Sequence, residues 1–157
     1  MNEQELANWL QHAGFKITEV QQASLNSSTI ANGNTPLMHA ARLGNSEVVN
    51  ALLAHGADPA RLNADSNGAL WFACFANSEA CAAALINAAA PLDSQNVNGA
   101  TALIYCASAG KTPLVKLLLD AGANAELKTL DDFTALELAA NQQCLKLLKA
   151  ARAVSHA

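Results

Sequence analysis

The sequence repeats itself with a period of 33 residues, and this period restricts the possible folds more than any other feature. One column of the repeat holds leucine throughout, at Leu37, Leu70, Leu103 and Leu136. Small residues fill the two columns that start at Ala40 and Ala41, and a third column holds Gly44, Asn77 and Gly110. A period of this length is typical of short structural units that stack on one another and share a continuous core.

Each unit is predicted to form two short antiparallel helices. In the first unit, Thr35 is expected to cap a helix, and Pro36 fits the first helical position, where its missing N–H costs nothing. Gly44 ends this helix, Ser46 is expected to cap the second, and Gly56 ends the second. Apolar residues at helical spacing mark the buried faces, which are Leu37, Ala40 and Ala41, then Val48, Val49, Leu52 and Leu53.

These residues resemble the ankyrin repeat. The segment 33–44 reads Gly-Asn-Thr-Pro-Leu-Met-His-Ala-Ala-Arg-Leu-Gly, and 52–58 reads Leu-Leu-Ala-His-Gly-Ala-Asp. The resemblance implies an all-α solenoid of stacked helix-turn-helix units joined by β-hairpin-like loops. The histidine of the family pattern is replaced by Met38, Trp71, Ile104 and Glu137, so the hydrogen bonds that it usually makes between loops are not expected here.

The chain is divided into an N-terminal helical cap, 1–29, and a repeat array, 30–157. The array comprises units at about 30–62, 63–95, 96–128 and 129–152, followed by a short C-terminal tail. Within the cap we predict helices over 3–13 and 18–25, with Leu6, Trp9 and Leu10 facing inward. The fourth unit is three residues shorter near Asn141, and its last helix has a polar face that suits a terminal repeat: Lys146, Lys149 and Arg152.

Composition excludes several classes of protein. The net charge of −4 disfavours a nucleic-acid binder, which is ordinarily basic. The sequence contains no uninterrupted run of about 18 apolar residues, so no membrane-spanning helix is predicted. The N-terminus is acidic, unlike that of a secretory signal. The four cysteines fall in core columns and lack zinc-site spacing, so we expect reduced, buried thiols and a cytoplasmic location: Cys74, Cys81, Cys106 and Cys144.

No catalytic or cofactor-binding pattern is recognisable. The histidines, His12, His39, His55 and His156, form no metal-binding or catalytic motif. Gly110-Lys111-Thr112 imitates the end of a phosphate-binding loop, but Gly110 is the glycine between two helices and Thr112-Pro113 begins the next. We therefore predict no metal, no cofactor and no enzymatic activity.

The resemblance implies that a partner protein docks on a concave face built from the loop tips and the exposed positions of each first helix. The candidate loop residues are Asn34, Asp65, Asn67, Asn98, Asp131 and Phe133. The candidate helix residues are Arg42, Trp71, Phe75 and Ser108. Trp71 and Phe75 are four residues apart, so they share one helix face. They are either binding anchors or residues that pack against their neighbours.

The predicted function is that of a protein–protein interaction module, which acts as an adaptor, inhibitor or regulator. The alternative is a dedicated neutralising partner of one toxin or enzyme. We expect a monomer, no nucleic-acid or membrane partner, and a mildly basic protein partner, since the chain is acidic and its loops carry aspartates.

Overall fold

In the computed structural model, which describes residues 1–155 and their side chains as far as Ala153, the chain is all-α, as predicted. The helices are α1 (Glu3–His12), α2 (Gln22–Ser27), α3 (Pro36–Arg42), α4 (Ser46–Ala54), α5 (Ala69–Phe75), α6 (Glu79–Asn87), α7 (Ala102–Ser108), α8 (Thr112–Asp120), α9 (Ala135–Leu138) and α10 (Gln142–Ser155). Two isolated antiparallel bridges, Ile30 with Asn34 and Leu62 with Gly68, lie in the loops. The chain divides into two compact units, Met1–Pro91 and Leu92–Ala157.

The first unit contains α1, α2 and the helix pairs α3/α4 and α5/α6. Helix α3 packs against α5, and α4 packs against α6, so the two pairs stack as the repeat predicts. Thr35 caps α3 by accepting a hydrogen bond from the Met38 N–H, and Pro36 takes the first helical position, as predicted. The cap of α4 is Asn45 rather than Ser46, because the Asn45 side chain accepts from the Val48 N–H at 3.1 Å.

The N-terminal segment belongs to the first compact unit. Leu6 and Leu10 of α1 are buried as expected, whereas Trp9 is only partly buried. The helix predicted over 18–25 is misplaced, because α2 begins at Gln22 and continues to Ser27. Before it, Phe15 and Ile17 bury alternate side chains along non-helical chain, a spacing of two that a helix cannot provide.

Asn26 joins this segment to the first repeat. Its Nδ2 donates to the Gly56 carbonyl at 3.1 Å, and its Oδ1 accepts from the Asp58 N–H at 2.7 Å. We expect Asn26→Ala to lower the free energy of unfolding by about 1–3 kcal/mol, because two partly buried backbone groups lose their partners. Urea unfolding measures the loss, and Asn8→Ala on the exposed face of α1 is the control. Equal stability of the two variants would contradict this role.

The second unit contains the pairs α7/α8 and α9/α10, and α7 packs against α9. The shortening of the fourth repeat falls on α9, which has only four residues and ends where Ala139 turns to φ −57° and ψ 121°. The Ala140 N–H donates instead to the Ala107 carbonyl at 2.9 Å. Asn141 caps the following helix at the Cys144 N–H. Helix α10 continues to Ser155, so it extends into the segment that was predicted as a short tail after residue 152. His156 lies outside the described residues.

Backbone hydrogen bonds link neighbouring loops within each unit. The Ala64 N–H donates to the Asn32 carbonyl at 2.9 Å, and the Leu130 N–H donates to the Asn98 carbonyl at 3.0 Å. Gln95 adds a side-chain link, since its Nε2 donates to both Gly99 and Lys128 carbonyls at 2.9 Å. The loops are therefore joined without the family histidine, whose positions hold three apolar side chains and Glu137.

None of the four cysteines forms a disulfide bond, and all four are buried, as their columns predicted. Burial raises the pKa of the Cys81 thiol, which the Ser78 hydroxyl only partly offsets. No helix within residues 1–155 combines the length and apolar character needed to cross a membrane.

Candidate binding groove

A surface groove of about 410 Å³ lies between α3 and α5 in the first unit. The α3 side chains His39 and Arg42 line one wall, and the α5 side chains Trp71 and Phe75 line the other. Loop residues, including Asn32 and Asp65, also line the groove. Three of the predicted binding residues on helices, Arg42, Trp71 and Phe75, therefore meet at one groove.

Trp71 and Phe75 form an aromatic stack along α5. Their ring centroids are 5.6 Å apart and the ring planes differ by 17°. Phe72 meets the Trp71 ring edge-on at 5.2 Å. Trp71 is partly buried, whereas Phe75 keeps 47% of its surface exposed to solvent. Packing accounts for Trp71 within this unit, but it leaves nearly half of Phe75 uncovered.

Arg42 completes the stack from the opposite wall. Its Cζ lies 5.9 Å from the centroid of the Phe75 ring, a cation–π arrangement. Residues 42 and 75 occupy the same column of consecutive repeats, so stacking of the repeats brings them together. The groove thus contains a preformed Trp–Phe–Arg stack.

The loop residues at the groove are mainly structural. Asn34 and Asn67, predicted to be exposed contacts, are only 6% and 9% exposed. The Asn34 Oδ1 accepts from Asn63 Nδ2 at 2.8 Å, and the Asn67 carbonyl accepts from the Asn63 N–H. Asn63 connects them, because its Oδ1 also accepts from the N–H groups of Asp65 and Asn67 at 3.0 Å and so satisfies backbone groups of the turn. Asp65 is exposed as predicted, and its Oδ2 accepts from Asn32 Nδ2 at 2.8 Å.

The predicted residues of the second unit lie on its surface: Asn98, Ser108, Asp131 and Phe133 are all exposed. The Ser108 hydroxyl donates to the carbonyl of Tyr105, one turn earlier on α7, at 2.9 Å. Two exposed apolar tip residues, Val97 and Leu130, were not predicted. The same column holds Ala31 and Ala64 in the first two repeats. The change from alanine to larger apolar side chains was the sequence signal that could have identified Val97 and Leu130 as candidate contacts.

His39 is a groove residue on α3 that the sequence prediction omitted. It was interpreted as part of the helix framework, although its position three residues before Arg42 places both on one face of α3. The ring packs against Trp9 and Phe15, with centroid distances of 5.8 and 6.1 Å. Burial lowers the pKa of His39 below its ordinary value, and the positive charge of Arg42 lowers it further.

The lowered pKa of His39 predicts that the first unit loses stability in mild acid. Below about pH 6.5 the unfolded chain binds a proton at this histidine more readily than the folded chain does, so the free energy of unfolding falls as the pH falls. His39→Gln should flatten this dependence between pH 7.5 and 5.5 in urea unfolding. His12→Gln, at an exposed position of α1, should retain it. An unchanged pH dependence in His39→Gln would contradict the assignment.

Within residues 1–155 no group of three or more His, Cys, Asp or Glu side chains is arranged to hold a metal ion. Lys111 belongs to the segment Gly110-Lys111-Thr112, which resembles the end of a phosphate-binding loop. Its Nζ lies 5.0 Å from the centroid of the Tyr105 ring. The structure therefore gives Lys111 a packing contact on α7.

Comparisons with known proteins identify the repeats. The family profile described as ankyrin repeats (3 copies) matches residues 1–96 and 85–155, and so includes the segment predicted as an N-terminal cap. The crystal structure of the ankyrin repeat domain of Bcl-3, described as a unique member of the IkappaB protein family, is similar, with a TM-score of 0.71 and 28% sequence identity. The match covers 74% of this chain and 51% of that one, so the chain spans about half the length of the Bcl-3 domain.

Proposed function

We propose that this chain, which belongs to the ankyrin repeat family, binds a partner protein through the groove between α3 and α5. The observation that carries the proposal is the exposure of Phe75 within a preformed stack. Repeats of this family are generally interaction scaffolds rather than catalysts, and we extend that non-enzymatic role to this chain.

The physical argument rests on how binding energy is distributed in protein interfaces. Aromatic side chains and arginine dominate it when a partner covers them. Burial of the exposed part of Phe75 would contribute on the order of 1–2 kcal/mol. Because Trp71 and Arg42 already hold the ring in place, little side-chain entropy would be lost on binding.

The test is affinity capture from a lysate of the source organism, followed by measurement of the dissociation constant of each captured protein. We expect Phe75→Ala to weaken binding at least about tenfold, since it removes the central ring of the stack. Leu62→Ala is the matched control, because Leu62 is also 47% exposed and lies outside the groove. Circular dichroism confirms that both variants fold. A partner held equally well by Phe75→Ala would place the binding site elsewhere.

The same measurement distinguishes the two roles that the sequence left open. Several partners of moderate affinity are expected of an adaptor or regulator, whereas one partner bound tightly in a one-to-one complex is expected of a dedicated inhibitor. We also propose a monomer in the cytoplasm. The absence of a disulfide bond at any of the four cysteines supports the location, because thiols stay reduced in that compartment.

A further inference from the structure

We infer that the groove selects a partner segment that places a carboxylate against Arg42 and an apolar side chain beside Phe75. This inference rests on the proposed function and specifies the chemistry of the partner: an acidic residue of a polypeptide next to an aromatic or large aliphatic residue. The argument depends on the polar groups at the groove, taken in turn.

Arg42 offers hydrogen-bond donors that none of the described residues uses. A guanidinium carries five N–H donors and is always charged. Within residues 1–155 no group accepts a hydrogen bond from the Arg42 side chain, and the four ion pairs involve other cations: the amino terminus, Arg61, Lys116 and Lys128. The groove therefore presents a cation whose natural complement is a carboxylate.

The guanidinium also lies beside the aromatic pair of α5. It lies over the Phe75 ring at 5.9 Å, and Phe75 in turn stacks on Trp71 at 5.6 Å. A guanidinium beside an aromatic ring still has N–H donors available for a planar carboxylate. An apolar neighbour of that carboxylate would contact the exposed part of Phe75, so one short segment could satisfy both residues.

A basic partner fits the groove less well. The Phe75 ring already stacks on Trp71 and has the Arg42 guanidinium beside it, so a partner cation at this ring would meet the positive charge of Arg42. Asp65, the one carboxylate of the groove, already accepts a hydrogen bond from Asn32. The net negative charge of the chain favours a basic partner only through long-range attraction, and salt screens that attraction beyond about 8–10 Å. The contact at Arg42 is short-range and determines the preference at this site.

The experiment is a selection of random 12-residue peptides displayed on phage against the full chain and its variants. We expect the wild type to enrich peptides with Asp or Glu next to an aromatic or large aliphatic residue. Arg42→Glu should lose these peptides and enrich Lys or Arg at the same position. Arg61→Glu is the matched control, since it makes the same change of charge at an exposed arginine outside the groove, and it should enrich the wild-type peptides.

The affinity of one enriched peptide is then measured by fluorescence anisotropy. We expect Arg42→Gln to weaken binding at least about tenfold, and Arg61→Gln to change it less than twofold. Peptides that depend on Phe75 but show no preference for acidic residues would overturn this inference and leave the proposed function standing. Failure to enrich any peptide whose binding depends on Phe75 would count against both.

Discussion

Replacing Gly99 by alanine is expected to lower the free energy of unfolding by about 3 kcal/mol, whereas the same change at Gly33 should cost about 1 kcal/mol. The two glycines occupy the same column of the repeat and have nearly the same backbone conformation, with φ of +75° and +72°. Any L residue is strained there, so this part of the cost is shared.

The difference between the two positions lies in the space around them. A Cβ at Gly99 would lie 2.8 Å from the Leu130 nitrogen and 3.0 Å from the Thr129 carbonyl carbon, both of them backbone atoms. At Gly33 the nearest atom, the Ala64 nitrogen, is 3.6 Å away, an ordinary contact. To relieve the clash at Gly99, the Leu130 backbone must move. This movement would weaken the hydrogen bond of 3.0 Å that the Leu130 N–H donates to the Asn98 carbonyl.

Urea unfolding of the two variants and the wild type measures both losses with the same probe. Equal losses of unfolding free energy would show that backbone strain alone destabilises both variants. The loop around Leu130 would then have moved to accommodate the added methyl group. A larger loss at Gly33 would contradict the packing of both loops.

Truncation of Leu103 to alanine should lower the free energy of unfolding by about 2–5 kcal/mol. Leu103 lies in α7, belongs to the leucine column of the repeat and is only 1% exposed. The methyl groups removed would leave a cavity among α7 and its packed neighbours. Domains of this size are typically stable by only about 5–15 kcal/mol, so the loss should appear as a large fall in the melting temperature.

Leu130→Ala is the matched control, since it removes the same atoms from a side chain in the same unit that is 76% exposed. It should change stability by less than about 0.5 kcal/mol. An unchanged melting temperature for Leu103→Ala would mean that the repeat register is wrong, because a leucine outside the core cannot leave a cavity.

The repeat columns predicted most of the fold because they report contacts that recur in every unit. Leu37 and Leu103 are buried for the same reason, and Thr35 and Thr101 cap equivalent helices. Helix α2 was misplaced because residues 1–29 show little of the period, and local patterns then have to decide alone. Asn45 was passed over as a cap in favour of Ser46 because both residue types serve in that role.

The candidate groove was only partly predictable. The shared column of Arg42 and Phe75 placed both at the inner face, but the geometry of their contact depends on side-chain rotamers that no column records. Asn34 and Asn67 were assigned to the binding surface because the family resemblance places partner contacts at the loop tips. In this chain they are buried, and their polar groups serve the turns themselves.

The loop links described above use the backbone of the tip residues and leave their side chains without a structural task. The N–H groups of Ala64 and Leu130 make equivalent bonds, yet one side chain is a methyl group and the other a large aliphatic. The column that they share, Ala31, Ala64, Val97 and Leu130, is exposed throughout. Substitutions at these tip positions should therefore change the stability of the fold little. An array of this kind can acquire new binding specificities in evolution while its backbone structure stays the same.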